Sequence, residues 1–166
     1  MTDPTGPSVK LVELEPFDAS TFDTWYAASA INHAADKVKA GNWPEAGAIE
    51  RAVSELLRLL PEREKTAGNL LYTVRDAATE KKVGSLWLYY KPAATESGAY
   101  VFDLLIKEEE RGKGYGAAAL LAGESVVKGL GATSIGLHVF GFNKTAQNLY
   151  KKLGYEVTNL NMAKRF

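Results

Sequence analysis

The chain has no cysteine among its 166 residues, which excludes disulfides, thiolate metal ligands and a thiol nucleophile. It also lacks the run of roughly 18 apolar residues that a membrane-spanning helix needs. Met1–Lys10 lacks the charged-then-apolar plan of a secretion signal. Neither sign of charge is in excess, since 20 Lys and Arg residues balance 20 Asp and Glu residues. We therefore expect a cytoplasmic protein with no membrane partner and no nucleic-acid partner bound mainly through phosphates.

The composition is that of an ordinary globular chain, with 46% hydrophobic and 24% charged residues. A length of 166 residues suits one domain, because two domains would each have a small core. Pro4, Gly6 and Pro7 interrupt any regular pattern at the start. We expect a flexible N-terminus over residues 1–8 and a single domain over residues 9–166.

Hydrophobic periodicity predicts alternating strands and helices along the chain. Short apolar runs predict strands over residues 9–14, 70–75, 83–90, 100–106 and 134–140, with one or two final strands in 155–166. Apolar residues at helical spacing predict helices over residues 17–40, from Pro44 to Leu60, over 115–130 and over 143–153. This order predicts an α/β fold with a mixed sheet and helices on both of its faces.

The most informative stretch is the glycine-rich run Arg111–Ala117, which follows a strand expected to be buried and opens a helix. Glycines let several backbone N–H groups approach an anion closely, and the positive end of the helix dipole points the same way. The run therefore indicates a phosphate or pyrophosphate site, although a glycine-rich turn that binds nothing has the same residues. The neighbouring acidic run Glu108–Glu110 is interpreted as a solvated turn.

Three phosphate-binding patterns compete for this run. The spacing of the P-loop is absent from the chain. The glycines and Ala117 satisfy the dinucleotide fingerprint, but its acidic residue about 20 positions on is missing, since none occurs over residues 126–151. A nucleotide-dependent oxidoreductase is therefore disfavoured. The third pattern, Arg-x-x-Gly-x-Gly, is met by Arg111, Gly114 and Gly116.

A second block lies downstream of this loop. Residues 137–142 form the end of a predicted strand, followed by Asn143, a short helix that carries Tyr150, and then Gly154 and Tyr155. The glycine pattern and this block, in this order, resemble the GNAT acetyltransferase superfamily. The resemblance implies a GNAT-like acyl-CoA N-acyltransferase fold, with a central, mostly antiparallel mixed sheet that is splayed at its two central strands. A β-bulge is the usual device for such splaying.

The resemblance also implies acetyl-CoA as cosubstrate and no metal ion. The pyrophosphate would bind the N–H groups of the glycine loop, and the pantetheine arm would run beside the middle strand. The implied cofactor-binding residues are Leu104, Leu105, Ile106, Arg111, Gly112, Lys113, Gly114, Tyr115, Gly116, Ala117, Asn143 and Tyr150. The type and position of Asn143 suit a helix N-cap equally well.

The reaction implied by the resemblance is direct transfer of an acetyl group to a primary amine of a small-molecule or peptide acceptor. The backbone N–H of Leu104 would polarise the thioester carbonyl, and Tyr150 would protonate the departing thiolate. The base is left open, because Tyr100 stands where some relatives have a catalytic glutamate. Asp103, inside an apolar strand, is either a structural group or the base, and a water relay is equally consistent.

The acceptor site is the least defined part of the prediction. Aromatic residues of the first half are candidates, although core packing explains them equally well: Trp25, Tyr26, Trp43, Tyr89 and Tyr90. His33 and Asp36 share a helical face and are interpreted as a surface pair, and His138 as a core histidine. A non-catalytic acyl-CoA-binding module of the same fold is the alternative function. The sequence leaves the oligomeric state open, although a homodimer is frequent among similar proteins.

Overall fold

A computed structural model describes residues 11–92 and 97–166; the segment predicted to be flexible, residues 1–8, lies outside them. The helices and strands found there are, in order, β1 (Val12–Pro16), α1 (Ala19–Lys39), α2 (Ala48–Leu59), β2 (Asn69–Asp76), β3 (Lys82–Tyr90), β4 (Gly98–Ile106), α3 (Tyr115–Gly129), β5 (Ser134–Leu137) and α4 (Lys144–Lys152). Short 3-10 helices cover Arg63–Lys65 and Glu108–Glu110. In this part of the chain, no helix is both long and apolar enough to cross a membrane.

The strands form one sheet in the order β1-β2-β3-β4-β5. Neighbours are antiparallel from β1 to β4, and β4 pairs with β5 in parallel, which confirms the predicted mixed sheet. Successive side chains of β3 point to opposite faces, and each face has its own core. Leu86 and Leu88 belong to one core with Leu120 of α3. Trp87, between them, belongs to the other core with Trp25 of α1.

Both helices of the second core have identifiable beginnings. The side chain of Asp18 accepts a hydrogen bond from the N–H of Thr21 at 2.7 Å and caps α1. Gly47 precedes α2 with a φ of +73°, a left-handed conformation that favours glycine. The second helix therefore begins at Ala48, and Pro44, predicted to lie in its first turn, lies in the preceding loop.

The two central strands separate at one end of the sheet. The pairing of β4 with β5 stops at Val101, opposite Leu137. The pairing of β4 with β3 continues on the other side as far as Ile106, opposite Gly84. Within the described residues, the second half of β4 therefore has a free edge, and the predicted splay is confirmed.

A β-bulge accompanies the splay. Trp87 pairs with Asp103, but the next residue of β3, Leu88, pairs with Val101. Phe102 is therefore the extra residue of β4, and the strand bends and twists at this point. The bulge lies where β4 loses its pairing with β5.

The C-terminal part of the chain departs from the prediction. The fifth strand ends at Leu137 rather than at residue 140, and residues 155–166 form neither strand nor helix, turn or bend. The N–H of Tyr155, bonded to the carbonyl of Tyr150 at 3.0 Å, is the last backbone donor that has a backbone partner among the described residues. The prediction of final strands here is wrong, because no neighbouring backbone pairs with this stretch.

Candidate active site

The free edge of β4 presents backbone groups in a fixed alternation. In an antiparallel pair, the N–H and C=O of one residue point to the same side, and successive residues alternate. The N–H of Lys107 donates to the carbonyl of Val83 at 2.9 Å, on the β3 side. Ile106 and Leu104 therefore direct their N–H groups away from β3, toward the free edge. Leu104 is the residue that the sequence predicts as the donor to a thioester carbonyl.

Arg111 connects this edge to the glycine loop. Its Nε donates to the carbonyl of Ile106 at 3.0 Å, so the loop is held at the end of β4. Leu105, between the two edge-facing residues, directs its backbone toward Ser85 of β3. Of the three strand residues predicted to bind cofactor, two therefore offer backbone groups to the free edge, and Leu105 offers its backbone to the sheet.

The glycine loop presents an open set of backbone donors. Among the described residues, no backbone carbonyl accepts from the N–H groups of Gly112, Lys113, Gly114, Gly116 and Ala117. Gly112 and Gly114 have φ values of +72° and +88°, and a Cβ built on either would meet no atom within 4 Å. The N-terminus of α3 adds the positive end of its dipole and has no acidic residue in its first turn. This arrangement fits a pyrophosphate, whose oxygens accept several N–H bonds.

A buried hydrogen bond fixes the point where the loop enters α3. The phenol of Tyr115 donates to Oδ2 of Asp76 at 2.7 Å. Asp76 also accepts at Oδ1 from the N–H groups of Ala78 and Thr79 at 3.0 and 2.9 Å. These bonds, that of the phenol first, lower the pKa of Asp76 to about 2. The side chain of Tyr115 is therefore structural, and only its backbone belongs to the loop surface.

A second buried carboxylate, that of Glu110, directly precedes the glycine loop and contacts it. Glu110 is only 3% exposed and forms ion pairs with Lys81 and, at 3.1 Å, with Lys113. Hydrogen bonds from these two ammonium groups lower the pKa of Glu110. The interpretation of the acidic run Glu108–Glu110 as a solvated turn is wrong at its last residue, because the two lysines offset the cost of burying its charge. The side chain of Lys113 therefore contacts Glu110, and the backbone N–H of Lys113 remains part of the loop surface.

A cleft of about 390 Å³ lies between the helices α1 and α2 and the splayed end of β4. Polar and aromatic side chains from both halves of the chain line it: Asn32, His33, Asp36, Lys37, Glu55, Tyr100, Phe102, Asp103, His138, Phe140, Asn143 and Tyr150. Leu104 lines it as well. The residues predicted to act in catalysis are therefore brought together in one cleft.

Asp103 and Tyr150 influence each other within this cleft. Burial, together with the charge of Asp36, raises the pKa of Asp103 to about 6, and a hydrogen bond from the N–H of Leu104 acts in the opposite direction. Burial and the charge of Asp103 raise the pKa of the Tyr150 phenol. Among the described residues, no side chain forms a hydrogen bond with the carboxylate of Asp103 or with the phenol of Tyr150. The cleft thus contains a carboxylate of increased basicity and a protonated phenol.

Asn143 begins α4 and also lines the cleft. Its side-chain oxygen accepts from the N–H of Ala146 at 3.1 Å, so its interpretation as a helix N-cap is confirmed. Gln147, on the same helix, donates from Nε2 to the carbonyls of Phe140 and Gly141 at 3.1 Å. These bonds hold the connection between β5 and α4 against the helix.

Three of the aromatic residues proposed for the acceptor site have structural positions instead. Trp25 and Tyr90 are buried in the two cores. Tyr26 donates from its phenol to the carbonyl of Val53 at 3.4 Å, which joins α1 to α2. None of the three lines the cleft. Core packing, the alternative that the sequence left open, accounts for them.

The other two candidates contact cleft residues without lining the cleft. The ring of Tyr89 lies 6.1 Å from that of Phe102, edge to face, and the ring of Trp43 lies 5.6 Å from that of His33. The aromatic surface of the cleft is instead supplied in part by Phe102. No sequence pattern indicates this position of Phe102, because the bulge sets the direction of its side chain.

The helical side of the cleft contains a hydrogen bond between α1 and α2 that the sequence did not indicate. Nε2 of His33 lies 2.9 Å from Oε2 of Glu55, on α2, so the predicted pairing of His33 with Asp36 is wrong. The partners are 22 residues apart, and only the packing of α1 on α2 brings them together. His138, interpreted as a core histidine, is exposed at the opposite side of the cleft.

Comparison with known proteins identifies the family to which the chain belongs. The sequence profile described as the acetyltransferase (GNAT) family matches residues 29–155, a range that contains the cleft, the free edge of β4 and the glycine loop. The chain belongs to the GNAT acetyltransferase family. The resemblance seen in the two sequence blocks is therefore confirmed.

Individual relatives agree with this assignment. Two proteins of Bacillus subtilis (strain 168), YdgE and YycN, are both described as uncharacterized N-acetyltransferases. YdgE is 30% identical over 152 residues, 92% of this chain and 96% of that protein. YycN is 31% identical over 155 residues, 93% of this chain and 98% of that protein. The crystal structure of YycN matches this fold with a TM-score of 0.88 at 30% identity, over 93% of this chain and 98% of that one.

Proposed function

We propose that the protein transfers the acetyl group of acetyl-CoA directly to a primary amine of a small-molecule or peptide acceptor. The observation that carries this proposal is the continuity between the free edge of β4 and the open N–H groups of the glycine loop, joined through Arg111. A pantetheine arm can pair with such an edge as an extra strand would, while its pyrophosphate binds the loop. The cleft beside this edge is the acceptor side.

Bound acetyl-CoA supplies a thioester whose carbonyl carbon is attacked by a neutral amine and whose sulfur departs. Leu104 directs its N–H to the free edge, where it donates to the carbonyl oxygen as negative charge develops there. A preorganised donor of this kind typically contributes about 3 kcal/mol to transition-state stabilisation. The same N–H also interacts with Asp103, which ties the donor to the acceptor side of the cleft.

Asp103 takes the proton from the amine. Its pKa of about 6 leaves it ionised at neutral pH, yet makes it more basic than an ordinary aspartate of pKa about 3.9. Together with Asp36, it favours entry of the acceptor as an ammonium ion, because opposite charges at close range stabilise the charged form. The proton then passes from the ammonium to the carboxylate, and from there to solvent.

Tyr150 gives a proton to the departing sulfur, and the second proton that the attacking nitrogen loses as the amide forms restores the phenol. A phenol of pKa about 10 transfers its proton to a thiolate of pKa about 8.5 only when it is well positioned. The raised pKa of Tyr150 keeps the phenol protonated at neutral pH, so it is available as a donor. Its position in the cleft with Leu104 supports this role.

The test is the release of CoA from acetyl-CoA in the presence of a panel of primary amines. Because the chain contains no cysteine, a thiol reagent reports free CoA with no signal from the protein. We expect release with at least one amine, in proportion to the acetylated product seen by mass spectrometry. Thioester hydrolysis without amine is the background control.

Two other outcomes decide against this function. Binding of CoA without release by any amine would support the alternative, a non-catalytic acyl-CoA-binding module. Failure to bind CoA at all would contradict both, since each depends on the open loop and the free edge.

A further inference from the structure

The C-terminal end of α4 is closed by a hydrogen-bonded cap that brings Tyr155 beside Tyr150. The N–H of Gly154 donates to the carbonyl of Lys151 at 3.1 Å, and the N–H of Tyr155 donates to the carbonyl of Tyr150 at 3.0 Å. Gly154 has a φ of +90°, the left-handed conformation that this type of cap, a Schellman motif, requires. The motif places the residue after the glycine against the last turn of the helix. The rings of Tyr150 and Tyr155 accordingly lie 5.8 Å apart.

The phenol of Tyr155 attaches this cap to α3. It donates to Oε1 of Glu124 at 3.0 Å, while Oε2 of Glu124 lies 3.9 Å from Nζ of Lys128. The side chain of Glu124 is only 14% exposed, and a hydrogen bond to an ionised acceptor is stronger than one between neutral groups. Burial and the charge of Glu124 raise the pKa of Tyr155, so its phenol remains a donor at neutral pH.

A second contact holds α4 against the first turn of α3. A Cβ built on Gly116 would lie 3.2 Å from Cδ2 of Leu149, so a side chain at position 116 would displace this leucine. Leu149 directly precedes Tyr150, and both side chains pack against the core that α3 shares with the sheet. Tyr150 therefore lies in the chain between two residues, Leu149 and Tyr155, that both contact α3.

The two contacts together fix Tyr150 relative to the glycine loop. Gly116 belongs both to this loop and to the first turn of α3, and Glu124 lies about 12 Å further along the helix axis. Contacts this far apart restrict both translation and rotation of α4 against α3. They are needed because no side chain of the described helix Lys144–Lys152 is fully buried, so packing alone restrains this helix weakly.

We infer that Tyr155 and Glu124 are positioning residues for Tyr150, because their bond attaches α4 to α3 and so holds the phenol of Tyr150 at the departing sulfur. The inference rests on the role of Tyr150 in the proposed function. Neither Tyr155 nor Glu124 lines the cleft, so both act on the reaction through Tyr150. A displacement of ~1 Å in a reacting group can lower a rate on the order of 100-fold.

The first experiment measures kcat and KM for Tyr155→Phe in two backgrounds, the wild type and Tyr150→Phe, with the amine that gives the fastest release of CoA. The variant removes the bond to Glu124 and retains the ring beside Tyr150. We expect kcat to fall about 10-fold in the wild-type background, with the KM for acetyl-CoA unchanged within about 2-fold. In the Tyr150→Phe background, kcat should fall less than about 2-fold, because residues that act through one another are not additive.

Glu124 offers a matched set of variants for the same assay. Glu124→Gln removes the charge and retains an oxygen that accepts from the phenol, so we expect kcat near that of the wild type. Glu124→Ala removes the acceptor and should have the kcat of Tyr155→Phe. Lys128→Gln is the control, because it removes the exposed second partner of Glu124 and leaves the bond to the phenol intact. Its kinetics should be those of the wild type.

A measurement that needs no catalysis separates this inference from the proposed function. In protein labelled with ¹³C in the rings of its eight tyrosines, the NMR signal that disappears in Tyr150→Phe belongs to Tyr150. With saturating CoA, we expect this signal to keep its wild-type position in Glu124→Gln and Lys128→Gln. In Glu124→Ala it should shift or broaden, because α4 is no longer held at its C-terminal end.

Three results would overturn the inference. These are an unchanged kcat in Tyr155→Phe, an equal loss of kcat for this variant in both backgrounds, and a Tyr150 signal in Glu124→Ala identical to that of the wild type. The second result is the one that a merely structural role produces. Absence of CoA release by the wild type with every amine would contradict the proposed function instead, and the Tyr150 signal would then decide the attachment by itself.

Discussion

The phenol of Tyr115 donates a hydrogen bond of 2.7 Å to the carboxylate of Asp76 and joins the first residue of α3 to the last residue of β2. Both side chains are buried, so the bond fixes the glycine loop relative to the sheet. The shape of the proposed pyrophosphate site therefore depends on a contact between residues 39 positions apart.

Replacing Tyr115 with Phe removes this bond and retains the ring. Because Asp76 loses a donor that lies in the interior, we expect the Tm to fall by about 3–6 °C. The affinity for CoA should fall a few-fold as the loop becomes less fixed. Calorimetry of the free protein and of its CoA complex measures both effects, and an unchanged Tm would show that the bond has no structural role.

The low pKa of Asp76 also predicts how stability depends on pH. Its pKa is about 2 in the folded protein and about 3.9 in the unfolded chain. The ionised form therefore stabilises the fold above pH ~3.9, and the contribution is lost as the pH falls toward 2. Urea unfolding of the wild type and of Asp76→Asn should show a difference in stability that shrinks over this range. A difference independent of pH would contradict the assignment.

Gly114 tests whether the loop is an anion site. A Cβ there projects into open space, and its φ of +88° makes Ala unfavourable by about 1–2 kcal/mol. We expect Gly114→Ala to weaken CoA binding at least 10-fold, measured by calorimetric titration. Gly129→Ala is the matched control, since its Cβ also meets nothing but lies in the last turn of α3, where Ala favours the helix. Equal CoA affinity of both variants would argue against the loop.

The raised pKa of Asp103 predicts how the reaction rate falls on the acid side of the pH–rate profile. With a pKa raised to about 6, the base is lost by protonation below that pH, so kcat/KM should fall there. Asp103→Asn should lower kcat at least 10-fold and abolish this limb. His33 also lines the cleft, and His33→Gln should retain the limb whatever its rate. A limb that persists in Asp103→Asn and disappears in His33→Gln would transfer the role to the histidine.

Tyr150→Phe removes the proton donor for the leaving sulfur and retains the ring in the cleft. We expect kcat to fall on the order of 100-fold with little change in KM, because the lost interaction acts in the transition state. Tyr72, a half-buried phenol on β2 whose pKa is also raised by burial, supplies the control Tyr72→Phe, which should keep wild-type kinetics. Equal rates for Tyr150→Phe and the wild type would remove this phenol as the acid.

The sequence predicted those parts of the site that depend on local pattern. The glycine loop, Leu104 and Tyr150 belong to blocks whose spacing along the chain is distinctive, and the free edge of β4 follows from the same resemblance. The pair of His33 and Glu55 could not be predicted, because it arises only when α1 packs on α2. The burial of Glu110 could not be predicted either, because it depends on an ion pair with Lys81, which lies just before β3 and 29 residues away along the chain.

Residues 155–166 show a second limit of predicting structure from sequence. The sequence predicts one or two strands there, but a strand forms only when a backbone partner is available. The described residues of one chain do not provide that partner.

The most direct measurement for the proposed function is a crystal structure of the protein with acetyl-CoA. We expect the diphosphate to lie against the N–H groups of residues 112–117, the thioester oxygen to face the N–H of Leu104, and the sulfur to lie beside the phenol of Tyr150. Acetyl-CoA bound elsewhere, with the glycine loop unoccupied, would contradict it.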